Sequence, residues 1–351
     1  MKGRRILIEP RPDGAAAAAL LVEGRLDDLM IDPAADDPAP RPEAVHRAVV
    51  GRPMKGVGGV IVELGGGATG FLRGPKPPAP GSRLLVQISG WADPAKAPPV
   101  SARLALKGAF AILTPGAPGL NLARSIAEGS GRDALAALAS RAMAGAADDL
   151  GLILRSLAAE AGEAEIADEI AALRARWEAL AAAGASGPAA CLEPAPGAAA
   201  IARRDWRDRP DEPVDEHPET LAREGVWEMV AELLAPRAPI GQGWMSVEAT
   251  AALVAIDVDT GGDLTPAAAL KANLAAAREL PRQLRLRGLG GQVAIDFAPL
   301  AKRDRPRIEA ALRAALRPDG VDTTLAGWTP LGHLELLRKR ARRPLASLPR
   351  R

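Results

Sequence analysis

Two aspartates, Asp257 and Asp296, follow the same dipeptide, Ala-Ile, at the ends of two apolar runs, ALVAIDV and QVAIDF. Continuous apolar runs of this length read as buried strands. A stretch rich in helix formers separates them. If the strands pair in parallel through that helix, their carboxyl ends lie side by side, where α/β sheets gather ligand groups. Residues two apart on a strand face the same way, so Asp259 joins Asp257 on one side. Carboxylates brought together repel unless a cation sits between them. Mg²⁺, a hard cation with oxygen ligands, suits such a site. It keeps several waters, and one can be activated to attack a phosphodiester phosphorus. A plainer role is equally open: a strand-end aspartate caps turns, and Asp-Thr-Gly-Gly (residues 259–262) is good turn chemistry.

A substrate with phosphates needs local basic patches, because the net charge is only +2 and supplies no global field. The clearest runs are residues 282–287 (RQLRLR), 302–307 (KRDRPR) and 338–343 (RKRARR). Each also reads as a solvated face or basic tail. Tyrosine is absent and there are only three phenylalanines, so few rings can stack on bases. The one cysteine, Cys191, excludes a disulfide framework and a Cys-rich zinc site. It fits a reducing compartment. The apolar run at 15–22 is too short to span a bilayer, and no cleavage pattern follows it. These features predict a cytoplasmic protein without a membrane span.

The elements that must position the aspartates are legible in outline. The 351 residues predict two or three units at roughly 100–200 residues each. Residues 5–9 and 17–23 read as strands around the turn Pro12-Asp13-Gly14, and 32–43 as a Pro-rich loop. Strand-like stretches at 57–64, 70–72, 83–88, 103–106 and 109–113 predict a small antiparallel barrel. Residues 133–147 and 165–183 read as helices flanking a strand at 152–156, and 184–218 carries weak signals. A helix is expected over 219–234. Thr265 and Pro266 start a long helix as N-cap and first-turn proline, with a kink or break at Pro281. Helices are expected at 304–316 and 331–343. Strand, helix, strand, helix makes the C-terminal part an α/β unit.

Three segments, EATAALVAIDVDTGG, NLAAARELPRQLRLRGLGGQVAIDF and LGHLELLRKRARRPL, are similar to the catalytic half of ribonuclease E/G proteins. The N-terminal half keeps the same order. MKGRRILIE resembles the family's opening strand, and VGGVIVELGGGATGFL the turn of an inserted S1-type RNA-binding barrel. DDLGLILRS resembles the start of the family's 5′-end sensor. The fold class implied is α/β in several subdomains (α+β overall). A ribonuclease H-like scaffold (1–34 and 201–245) is interrupted by the barrel (35–115) and a sensor (116–200). A DNase I-like catalytic subdomain follows (246–351).

The resemblance also implies roles. Asp257 and Asp296 fall on the family's magnesium-ligating aspartates. Asp259 stands where the family usually has Asn, placing a further negative charge beside an anionic substrate. Phe71 matches a base-stacking position of the barrel, while Ile61 fills a second aromatic position. Lys96 matches a phosphate-facing lysine. Arg155 and Ser156 match a pair that grips a 5′-monophosphate. Arg124 lies near that pocket, and Pro330 replaces another of its arginines. Arg285 and Arg287 are candidate contacts to the RNA backbone. The implied activity is Mg²⁺-dependent endonucleolytic cleavage of single-stranded RNA. The competing reading is an RNA-binding paralogue with weak or no catalysis. A metal phosphoesterase for small nucleotides is a third reading, disfavoured because such a substrate needs no strand-tracking barrel. With the family's Cys-Pro-x-Cys segment not found, no zinc-linked tetramer is expected, and a homodimer stays open.

Overall fold

The structure, a computed structural model, describes residues 3–54, 56, 58–76, 78–92, 96–207 and 213–349. The chain forms two compact units. One comprises Met1–Asp36 and Pro210–Arg351, the other Asp37–Arg209. Among the described residues, no helix is long and apolar enough to cross a membrane.

The first unit opens with an antiparallel meander of β1 (Arg4–Pro10), β2 (Ala16–Val22) and β3 (Arg25–Ile31). The first two strands match the sequence expectation. The third was not expected, because Asp27 and Asp28 interrupt its apolar pattern. Asp28 is buried there, and Arg342 compensates it through a pair of charge-assisted hydrogen bonds.

The second unit begins with β4 (Val45–Met54), β5 (Gly59–Gly65), β6 (Ala68–Arg73), β7 (Arg83–Ile88) and β8 (Pro99–Ser101). Their order is β4-β5-β6-β8-β7, and β4 pairs again with β7. The result is a closed five-stranded barrel consistent with an OB-like fold. Alternating residues such as Ala48, Val50, Val60, Val62, Val86 and Val100 fill it.

The stretches at 103–106 and 109–113, expected in the barrel, belong elsewhere. Residues 102–105 form no strand. Short β9 (Leu106–Lys107) and β10 (Ala111–Pro115) join β11 (Gly119–Leu122) and β12 (Leu150–Leu154) in a separate sheet, ordered β11-β12-β10-β9. Leu106, Leu113, Leu152 and Leu154 pack there with helix residues Leu138, Ile166 and Ile170. Those helices are α1 (Ser130–Ala142) and α2 (Glu163–Gly184). From α2, Glu169 accepts hydrogen bonds from the amides of Ala109, Phe110 and Ala111 at 2.7–2.9 Å, which ties β10 to this layer. The weakly patterned stretch supplies β13 (Ala190–Glu193), added to β4, and α3 (Ala198–Asp205).

Back in the first unit, β14 (Asp215–Glu216) pairs in parallel with β1. The helix expected over 219–234 is two, α4 (Thr220–Arg223) and α5 (Val226–Leu234). Gly225, at φ 69°, turns the chain between them in a conformation that glycine adopts at little cost.

Then come β15 (Arg237–Ile240), β16 (Gly243–Ala249), β17 (Val254–Asp259), α6 (Pro266–Leu286), β18 (Gly291–Asp296), α7 (Arg305–Leu316), β19 (Thr323–Trp328) and β20 (Leu334–Arg338). The six strands form one sheet, ordered β15-β16-β17-β18-β20-β19. Only β17 and β18 pair in parallel. Thr265 caps α6 by accepting from the Ala268 amide. The helix runs unbroken through Pro281. A proline there costs about 3 kcal/mol, and burial of Ala272, Ala276, Ala277, Leu280 and Leu284 against the sheet offsets it.

The helix expected over 331–343 is instead β20 and its flanks. Leu334, Leu336 and Arg338 are buried while Glu335 and Leu337 are exposed, a period of two. Its residues favour helix locally, but pairing to β18 on one side and β19 on the other overrides that preference.

Candidate active site

The acid pair is built by strand register. Asp257 and Asp296 are direct partners across the parallel β17–β18 pair. Along β17, Val254, Ile256 and Val258 point into the core with Val293 and Ile295 of β18, and helix residues cover that face. Alternation therefore turns Ala255, Asp257, Asp259, Ala294 and Asp296 to the opposite face. On that face, β16 sets Ser246 opposite Asp257 and Trp244 opposite Asp259. A cavity of about 300 Å³ is lined by Ser246, Glu248, Ala255, Ile256, Asp257, Ala294, Asp296 and His333. The two alanines are small enough to leave a recess between the acids.

The electrostatics match this crowding. Partial burial, followed by the charges of Asp296, Asp259 and Glu248, pushes the Asp257 carboxyl above its ordinary range. His333 Nε2 lies 3.8 Å from Asp296 Oδ2. Among the described residues, no three His, Cys, Asp or Glu side chains gather to cage a metal. Two adjacent carboxylates nevertheless fit Mg²⁺, which is commonly held by one or two carboxylates with waters and substrate phosphates completing its shell.

The acids are held by their surroundings. Asp259 Oδ1 accepts from the Gly261 amide at 2.7 Å, so this aspartate does act as a turn residue. Gly261 has φ 77°, and a Cβ there would meet Gln242 O at 2.2 Å. Beyond Asp296, fully buried Asn273 of α6 clamps the chain. Its side chain donates to Ala298 O at 2.9 Å and accepts from Ala298 N at 3.0 Å. Asn273 and His333 were missed in the sequence. The signal for Asn273 was a polar residue on the apolar stripe of α6. His333 was hidden by the helix assigned to its segment.

The model of the ribonuclease E/G family matches residues 105–220 and 211–341. The chain belongs to the ribonuclease E/G family. It is 28% identical over 301 residues to ribonuclease E of Nostoc sp., a match covering 75% of this chain and 43% of that protein. It is 36% identical over 105 residues to ribonuclease G of Salmonella typhimurium, covering 28% of this chain and 22% of that protein. With ribonuclease E of Haemophilus influenzae the identity is 41% over 110 residues, 30% of this chain and 12% of that one. The chain thus spans less than half the length of each of these relatives. Asp257, Asp259, Asp296, Arg155 and Ser156 lie inside the family match, whereas Phe71 and Lys96 precede it.

The other residues singled out in this family member fall into two sets. Phe71, Lys96, Arg124, Arg155 and Ser156 belong to the Asp37–Arg209 unit. Phe71 is half-buried on β6, outside the barrel's core cluster, and pairs with Ile61 on β5. Lys96, Arg124 and Ser156 are exposed. Arg155 is already engaged, donating to Gly108 O at 2.7 Å and pairing with Asp205 at 2.9 Å. Burial raises Asp205, but Arg204 and then Arg155 outweigh it and hold the carboxyl below its usual range.

Arg285 and Arg287 do not stand on an exposed helix face. The Arg285 side chain is 10% exposed, and it pairs with Asp319 and with Asp28 at 3.5 Å. Arg287 is buried, with Nε on Gln283 and Nη1 on Ala235 O. The last turn of α6 faces inward, and its cations are held by protein acceptors.

Proposed function

We propose that this family member is a Mg²⁺-dependent endonuclease that cleaves single-stranded RNA in the cytoplasm. The observation that carries this reading is the register match of Asp257 with Asp296 on the open face of the sheet. In this reading the six-stranded sheet is the DNase I-like catalytic subdomain. The β14-β1-β2-β3 sheet is the ribonuclease H-like part, and the barrel is the S1-type RNA-binding module.

Asp257 and Asp296 hold the ion. Bound there, magnesium supplies a water of lowered pKa and positive charge against the phosphate oxygens. Asp259, oriented by Gly261, accepts a hydrogen bond from the attacking water. Ionised, it cannot donate one to the scissile phosphate. Water adds at phosphorus and the bond to the 3′ oxygen breaks, which leaves a 3′-hydroxyl and a 5′-phosphate on the downstream product. On the barrel, Phe71 stacks an RNA base and Lys96 meets an RNA phosphate. Arg155 and Ser156 form a weakened 5′-end pocket.

The test is a 5′-monophosphorylated single-stranded oligonucleotide incubated with the purified protein, with Mg²⁺ and with chelator. Metal-dependent cutting, reduced at least about 1,000-fold in Asp257→Asn, supports the proposal. Asp259 in place of Asn favours the second reading, a binding paralogue with little catalysis. Salt-sensitive RNA binding without any metal-dependent cutting selects that reading.

A further inference from the structure

A second cavity, of about 180 Å³, lies beside α6. Four arginines line it: Arg25 of β3, Arg237 of β15, and Arg282 and Arg287 at the end of α6. The carboxylates in its lining are Glu232 and Glu279. Arg237 turns its side chain to the opposite face of the sheet, over Trp244, so three cations face two anions and leave an excess of one positive charge.

That excess is not shared evenly. Glu279 Oε1 is already committed, contacting Arg25 at 2.8 Å, Arg282 at 2.5 Å and Gln283 at 2.9 Å. Arg237 is exposed and lies over the Trp244 ring, 4.8 Å from its centroid. Arg287 is the outlier. It is 7% exposed, and its two hydrogen bonds go to neutral acceptors, Gln283 Oε1 at 3.0 Å and Ala235 O at 2.8 Å. Among the described residues, no carboxylate pairs with it. Burial alone lowers its pKa, with no charged neighbour opposing the shift.

A buried charge without a counter-charge is expensive. A guanidinium cannot escape that cost by losing its proton. Its planar fork of donors matches the oxygens of a phosphate. We infer that this cavity binds a phosphate group, with Arg287 at its base and Arg25 at its rim. The site flanks α6 on the covered side of the sheet, whereas Asp257 and Asp296 line the opposite face. It therefore stands whether or not the acid pair cleaves RNA. The phosphate belongs either to free inorganic phosphate or to an RNA backbone.

Calorimetric titration of the full chain with sodium phosphate, at constant ionic strength, tests this. The wild type is expected to bind one phosphate saturably. Arg287→Met should weaken binding at least about tenfold, and Arg25→Ser about threefold. Should Arg287→Met fail to fold, exposed Arg25 carries the test. No saturable binding to the wild type, or unchanged affinity in every folded variant, overturns the inference. A 5′-hydroxyl single-stranded RNA that competes with phosphate assigns the site to backbone phosphate; saturable phosphate binding without competition assigns it to the free anion.

Discussion

Asp257 and Asp296 stand opposite each other on the one parallel strand pair of a six-stranded sheet. Antiparallel neighbours surround that pair, and the covered face carries apolar residues from both strands. The two carboxylates are thereby forced together on the open face, where, among the described residues, no third His, Cys, Asp or Glu completes a cage.

This crowding has a pH signature. The Asp257 carboxyl is raised in the folded state, so its contribution to stability is fully present below the ordinary carboxylate range and is lost as pH rises through the folded value. In chelator at neutral pH, Asp257→Asn should therefore melt at the same or a slightly higher temperature than the wild type. The gap should close as pH falls to about 4. Mg²⁺ at ten times its Kd should add about 1.4 kcal/mol to the wild type and little to the variant. Melting curves with and without metal check both; a variant that melts lower than wild type at neutral pH contradicts the repulsion argument.

Asn273 positions the end of β18 through two buried hydrogen bonds to Ala298. Asn273→Leu orphans one backbone donor and one acceptor, at a cost of about 2–4 kcal/mol. Urea unfolding measures that cost. Cleavage of RNA, assayed well below the variant's melting point, should fall as well, because Asp296 lies two residues from the clamped position.

Arg285 is a structural cation. It bridges Asp319 and Asp28 inside the unit, and Asp319 also pairs with Arg338 at 2.6 Å, with both side chains 1% exposed. Arg285→Met should destabilise by about 3 kcal/mol, because it removes one partner of a buried charge network. RNA affinity of the folded variant should keep the wild-type salt slope. A slope reduced by about one would return Arg285 to the RNA interface.

Arg155 is paired with Asp205 rather than presented alone. Asp205→Asn removes the competing carboxylate and leaves Arg155 its contact to Gly108 O. The preference for 5′-monophosphorylated over 5′-hydroxyl RNA should rise about threefold, as compared by cleavage or binding of matched oligonucleotides. The same carboxylate has a depressed pKa, so its share of stability is lost as pH falls below the ordinary Asp value. Acid unfolding of the Asn variant should be correspondingly less steep.

What the sequence determined by itself was local or periodic. The runs ALVAIDV and QVAIDF read as buried strands, Thr265-Pro266 read as a helix start, and the shared Ala-Ile-Asp pattern put the two acids at matching strand ends. Tertiary structure decided what depends on a partner far along the chain. Residues 334–338 became a strand because β18 and β19 offered hydrogen bonds on both sides. Asp28 could sit inside β3 because Arg342 and Arg285 arrive from more than 250 residues away. The arginines ending α6 were legible as basic residues, yet which of them met a carboxylate, and which was left buried without one, followed only from the packing around them.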